Sequence, residues 1–206
     1  MKLITKTACL PMRMLSLFLL LPVFCLMSSR PVANEKYVID KESIVQWKCL
    51  MVVPGKGGHT GFISISKGDL KLEQGQLVGG AAEIDMNTIA DESHGRENNL
   101  VDHLKSPDFF DVEKFPIATF AITRVSSAKD GDINVTGDLT IKGITHEVTF
   151  PVKMEVKNGI VNAIGKMTID RTLWDIRYGS GKFFDNLADR AISDSIEFEM
   201  KIVAKK

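Results

Sequence analysis

The sequence predicts an all-β fold: an eight-stranded antiparallel β-barrel with one short helix, behind an N-terminal signal segment. Three observations predict it. Apolar and polar residues alternate with period two through most of the 206 residues, glycine and asparagine turn signals separate the alternating runs, and one stretch, 89–104, gives up the alternation for helical spacing.

The leader comes first. Lys2, Lys6 and Arg13 precede a charge-free run of 14 residues, Met14 to Met27, which is short of the roughly 20 that a transmembrane helix needs. Residues 1–33 therefore read as an export signal, with Ser28, Ser29 and Ala33 offering cleavage points. An uncleaved anchor and a lipid-modified Cys25 are the alternatives. Of Cys9, Cys25 and Cys49 only the last survives cleavage, so no internal disulfide is available and the core must hold the fold. The chain is formally neutral and its leader is basic, which leaves residues 35–206, read as one domain, weakly acidic. Nucleic acid, which calls for a basic face, is a poor partner for it.

Within that domain the strands follow in order. Val45, Trp47, Cys49 and Met51 share one face of a strand, and Ile84 and Met86 lie on another. Ala118, Phe120 and Ile122 repeat the pattern, as do Val135, Gly137, Leu139 and Ile141, then Val148, Phe150 and Val152, then Met167 and Ile169. Ile196, Phe198, Met200 and Ile202 close the series. Turn signals stand between them: Pro54-Gly55 with Gly57-Gly58, Lys67-Gly68, Glu73-Gln74-Gly75, Asp130-Gly131-Asp132, Lys142-Gly143 and Lys157-Asn158-Gly159. A long meander of twisted strands removes its exposed edges by closing on itself, which favours a barrel over a flat sheet.

The interruption is 89–104, where Leu100, Val101 and Leu104 at helical spacing predict a short helix ending near Lys105, with Pro107 as a stop and Asp91 or Ser93 as cap for an earlier turn. Directly after it, Phe109, Phe110, Phe115 and Phe120 crowd a segment with little strand pattern. Each ring left in water forgoes roughly 1.5–3 kcal/mol of burial, so the segment must close over something apolar. A second irregular stretch, 178–190, carries Phe183 and Phe184.

Reactive chemistry is sparse. His59, His94, His103 and His146 have no metal-ligand spacing, Cys49 sits in a strand pattern as a small core residue, and Ser180 between two glycines lacks the strand-to-helix context of a nucleophile elbow. Asp85, Asp91, Glu92 and Asp102 read as charges around a solvated helix. His103, beside the aromatic cluster, reads as a residue that caps a helix end or pairs with a carboxylate. Apolar side chains are abundant by contrast. An eight-stranded barrel either fills with them or encloses one small elongated ligand, and periodicity leaves both outcomes open.

Five segments resemble the YceI-like lipid/polyisoprenoid-binding family: Tyr37-Val-Ile-Asp40, His59-Thr-Gly-Phe62, HLKSPDFFDVEKFP at 103–116, TGDLTIKGITHEVTF at 136–150 and IDRTLWDIRYGS at 169–180. Where many members of that family carry Arg-Asp before the His-Leu pair, this chain has Leu100 and Val101. The resemblance implies a lipocalin-like barrel, exported to the periplasm, that holds a long-chain apolar amphiphile such as a polyisoprenoid, an isoprenoid quinone or a fatty-acid-like lipid. No cofactor and no metal is implied, and no stable transmembrane span in the mature chain; a homodimer is left open.

On that reading the protein is a non-enzymatic binding protein. Trp47, Phe62, Ile84, Met86, Phe120, Ile122, Leu139, Ile141, Val148, Phe150, Met167, Trp174 and Phe198 line the lumen. Leu104, Phe109, Phe110, Phe183 and Phe184 ring its entrance. The competing readings are an enzyme using His103 with Asp102 or Glu92 at the barrel mouth, and a fully packed structural or interaction barrel.

Overall fold

The computed structural model describes residues 34–53, 55, 57–92, 95 and 99–206. The expected export signal, Pro54, Ser93 and His94 lie outside the described residues. Among those described are nine strands: β1 (Asn34–Ile39), β2 (Ile44–Met51), β3 (Gly58–Glu73), β4 (Gln76–Asp91), β5 (Ile117–Ser127), β6 (Ile133–Ile141), β7 (Ile144–Lys157), β8 (Ile160–Asp170) and β9 (Ile192–Lys205). A short helix, α1 (Asn99–Lys105), joins β4 to β5.

From β2 to β9 each strand pairs antiparallel with the next, and β9 returns to pair with β2. The barrel thus closes with eight staves although there are nine strands. β1 and β2 share one stave: β2 lies against Gly58 to Ile63 of β3, and β1 lies against Asp69 to Glu73 of the same strand. Between them the chain kinks at Asp40, whose N–H donates to the Val203 carbonyl at 2.7 Å while Ser43 exchanges two hydrogen bonds with the Val203 backbone.

Three hairpin loops have two residues, Gln74-Gly75, Lys142-Gly143 and Asn158-Gly159, and in each both residues have positive φ. That geometry matches the right-handed twist of the strands, and glycine at the second position carries it without strain. Lys67-Gly68 is no turn. β3 runs straight through it with a register shift, and Gly68 is there because a Cβ would overlap the Ile39 side chain and the Ala81 carbonyl. β4 likewise extends through Ile89 to Asp91, so the loss of alternation at 89 marks the top of a strand, and Asp91 forms an isolated bridge with Gly95.

α1 caps the end of the barrel where β4 finishes and β5, β8 and β9 turn. Val101 and Leu104 are buried beneath it. Its last carbonyls are satisfied by the following aromatic turn: Phe110 N–H donates to Leu104 at 3.1 Å, Val112 N–H to Lys105 at 2.9 Å, and the Ser106 hydroxyl to His103 at 2.8 Å. The segment between β8 and β9 crosses the same end through two 3-10 turns, Arg171–Trp174 and Ala188–Arg190.

Candidate ligand-binding cavity

The inward strand faces do not fill the barrel. They enclose a cavity of about 480 Å³, within the range of pockets that bury a small-molecule ligand. Its wall contains Trp47, Ile84, Met86, Phe120, Ile122, Leu139, Ile141, Phe150, Met167 and Phe198, with Leu104, Phe109 and Phe110 over the α1 end. The strands place these side chains inward because each run alternates in phase with its neighbour. The register Trp47–Phe198–Met167 carries one level of the lumen across β2, β9 and β8.

Five residues expected at the lumen or its entrance lie elsewhere. Phe62 is 38% exposed and faces outward, because its neighbours Gly61 and Ile63 take the inward positions of β3 around a register shift. Val148 is half-buried against the core, outside the cavity wall. Trp174 is fully buried behind the wall, where its Nε1 donates to the Leu139 carbonyl at 3.1 Å and its ring meets His146 edge-on at 5.0 Å. Phe183 is exposed under the Arg177 guanidinium, 4.8 Å from the ring centroid. Phe184 is outside the cavity wall, in a shallow depression with Leu187 that shares Tyr178 and Arg190 with that wall.

Other wall residues were not singled out from the sequence, among them Ile63, Leu70, Leu77 and Met154. Their alternation is ordinary and any of them could have been read from it. His59, Tyr178 and Arg190 come from loops and strand ends, where period two gives no direction. Arg171 also escaped notice. It is completely buried and donates to three carbonyls, Ile176 at 2.8 Å, Ser193 at 3.0 Å and Ile192 at 3.3 Å, with Asp194 Oδ1 at 3.5 Å and its guanidinium 5.6 Å from the Phe109 ring. Burial pulls its pKa down, partly countered by Cys49 and Asp194.

Polarity inside the cavity is uneven. The hydrogen-bonding side chains of the wall are Trp47, Cys49, His59, His103, Tyr178 and Arg190, all on the α1 side; toward the opposite end the wall is Ile39, Ile65, Leu70, Leu77, Val152, Met154, Ala163 and Ile202. His103 does not pair with Asp102, which is exposed. Its ring packs against Tyr178 at 4.3 Å and Phe109 at 5.8 Å, and its Nε2 is buried without a hydrogen-bond partner, as is Nε1 of Trp47. Burial pushes the Cys49 thiol up from its ordinary pKa. Among the described residues no group of His, Cys, Asp and Glu could hold a metal ion, and no helix is long and apolar enough to cross a membrane.

A closed eight-stave meander, capped by a helix and an aromatic turn over an apolar lumen, corresponds to one domain description, the YceI-like domain, which matches residues 37–204. This chain belongs to the YceI-like family. Among its relatives, a UPF0312 protein of Pseudomonas putida is 32% identical over 134 residues, covering 61% of this chain and 65% of its own length. One of Staphylococcus aureus is 38% identical over 115 residues, covering 56% of this chain and 59% of its own length. The matches thus span less than two thirds of the length of these curated relatives. In solved structures the same fold recurs in BcnA of Burkholderia cenocepacia, with TM-score 0.65 and 24% identity over 81% of this chain and 99% of that one. A polyisoprenoid binding domain from Saccharophagus degradans gives TM-score 0.55 at 9% identity over 84% of this chain and 99% of that domain.

Proposed function

We propose that this YceI-like protein is an exported, periplasmic, non-enzymatic carrier that takes a long-chain apolar amphiphile, of the polyisoprenoid, isoprenoid quinone or fatty-acid class, into its barrel. The observation that carries this reading is the cavity of about 480 Å³ with polar side chains at one end only. A wall of that kind suits a molecule with a hydrocarbon tail and a small polar head, the tail running away from α1 and the head lying beneath it. Each buried methylene contributes about 0.8 kcal/mol, so ten of them offer roughly 8 kcal/mol before association costs. The polyisoprenoid binding domain of Saccharophagus degradans, built on the same fold, supports the choice of ligand class. Chemistry has less support, since the His103 ring is engaged by aromatic neighbours rather than by a carboxylate.

Native mass spectrometry tests the proposal. Protein purified without detergent is expected to carry a lipid released by organic extraction, or to take one up from a panel of quinones, polyprenols and fatty acids. Protein that carries none and takes none up would sink the proposal. Cell fractionation of the full-length chain tests the localisation, with the processed form expected in the periplasmic fraction.

A further inference from the structure

At the end away from α1 the barrel is shut by its own side chains. Tyr37, Leu72, Val161 and Ala204 are buried, none more than 3% exposed, and none of them lines the cavity. Strand pairing places them just beyond residues that do. Val161 and Ala204 face each other across β8 and β9, one inward position past the cavity residues Ala163 and Ile202, and Leu72 stands one inward position past Leu70 on β3. The lumen is blind at this end.

Tyr37 is the largest of the four. Alternation along β1 turns Lys36 and Val38 to solvent and Tyr37 and Ile39 inward; Ile39 belongs to the cavity wall, and so does Leu70, the partner of Tyr37 on β3. The ring runs outward from that level. Its hydroxyl donates to Glu35 Oε2 at 2.9 Å, and Glu35 pairs with Leu72, so the side chain reaches from the last level of the cavity to the level beyond it. Lys206 Nζ holds the same carboxylate at 3.1 Å. An aliphatic residue could not span both levels, whereas tyrosine offers a rigid ring to bury and a polar tip that ends among charges. In the segment Tyr37-Val-Ile-Asp40, Asp40 makes the kink between β1 and β2 and Tyr37 lies across the blind end.

We infer that Tyr37 is the chain-length determinant of this cavity: its ring plugs the barrel past the last cavity-lining residues, fixes where the lumen ends, and so sets the longest hydrocarbon tail that the protein encloses. The inference rests on the carrier reading above and adds an upper limit that burial of hydrocarbon does not impose.

The test uses the full chain, delipidated, and two series of probes of increasing length, saturated fatty acids and linear polyprenols, delivered from cyclodextrin. For the unmodified protein the affinity is expected to rise roughly fourfold with each enclosed methylene and to stop rising at one length. In Tyr37→Ala the rise is expected to continue to longer chains. Tyr37→Phe, which keeps the ring and loses the hydroxyl, is expected to stop where the unmodified protein stops. An affinity that climbs without a stop in the unmodified protein, a Tyr37→Ala chain that stops at the same length, or a stop displaced equally in both variants overturns the assignment and spares the carrier reading. Failure of the unmodified protein to bind any member of either series overturns both. Should Tyr37→Ala fold poorly, the unmodified protein carries the test. Tyr37 and Tyr178 are its two tyrosines, one beyond each end of the tail path, so fluorotyrosine gives two ¹⁹F signals that Tyr178→Phe assigns. The longest probe that binds, carrying a nitroxide at its tail end, is expected to broaden the Tyr37 signal more than that of Tyr178; the reverse order overturns the assignment.

Discussion

Arg171 ties the segment between β8 and β9 to the barrel end by donating to carbonyls on both sides of it, at Ile176, Ile192 and Ser193. Removing it strands those acceptors and deletes charge-assisted hydrogen bonds, so Arg171→Ala is expected to cost about 3 kcal/mol or more in urea unfolding. Arg171→Lys should restore only part of this, because an ammonium cannot fan across three carbonyls as a guanidinium does. Cys49 offers a second test at the same scale. It lines the cavity and burial favours its neutral thiol, so in a C9S, C25S chain its alkylation should be slow, and slower again when a lipid occupies the barrel. Equal rates with and without lipid would place the ligand elsewhere. Cys49 reads from the sequence as a small core residue, which its place against the core matches, but Arg171 could not be assigned its role. Arg171 follows a strand with no period to place it, and its partners lie on backbone up to 22 residues away. Phe62 shows the converse error: a large ring in a strand was expected inward, but Gly61 and Ile63 hold the inward positions of β3 and ordinary alternation turns Phe62 out.

Elements were more legible. The α1 helix was marked by Leu100, Val101 and Leu104, and three hairpins by turn signals ending in Gly75, Gly143 and Gly159, because both kinds of signal are local and depend on few neighbours. The division of one stave between β1 and β2 was not legible, since it depends on pairing with Val203, 160 residues from Ser43. The Arg171–Trp174 turn supports a prediction at this scale. Asp170 caps it, accepting from Thr172 N at 3.0 Å and Thr172 Oγ1 at 2.6 Å, and meets Lys182 Nζ at 2.6 Å. Burial alone would raise its pKa, but the hydrogen bonds from Lys182 and Thr172 outweigh that and the net shift is downward. A carboxyl with a lowered folded pKa stabilises above its unfolded pKa, and that contribution is lost as pH falls through the folded value. Asp170→Asn keeps the cap and removes the charge. Its urea midpoint is expected below that of the parent near neutrality, with the two curves converging in acid; a constant gap at every pH would refute the linkage.

At the scale of the molecule, stability and capacity pull against each other. Side chains that leave about 480 Å³ unfilled forgo packing worth on the order of 10 kcal/mol, comparable with the net stability of a typical domain, about 5–15 kcal/mol. The wall even includes alanine where a larger residue would pack, as at Ala163, 8% exposed in the tail half of the lumen opposite Met154 and Ile202. In a filled barrel, enlarging such a residue would overpack the core and cost about 1–3 kcal/mol. In this one, Ala163→Leu adds three carbons to open space and is expected to gain roughly 2 kcal/mol, which raises the melting temperature of delipidated protein by about 4–8 °C. The same substitution removes volume from the tail path, so uptake of a long chain should weaken while a short-chain ligand of the same head is retained. Calorimetry and a lipid-uptake assay on one variant therefore separate the two kinds of barrel. A rise in melting temperature with loss of long-chain uptake marks a lumen kept open for cargo, and a fall with uptake unchanged marks a core that was already full.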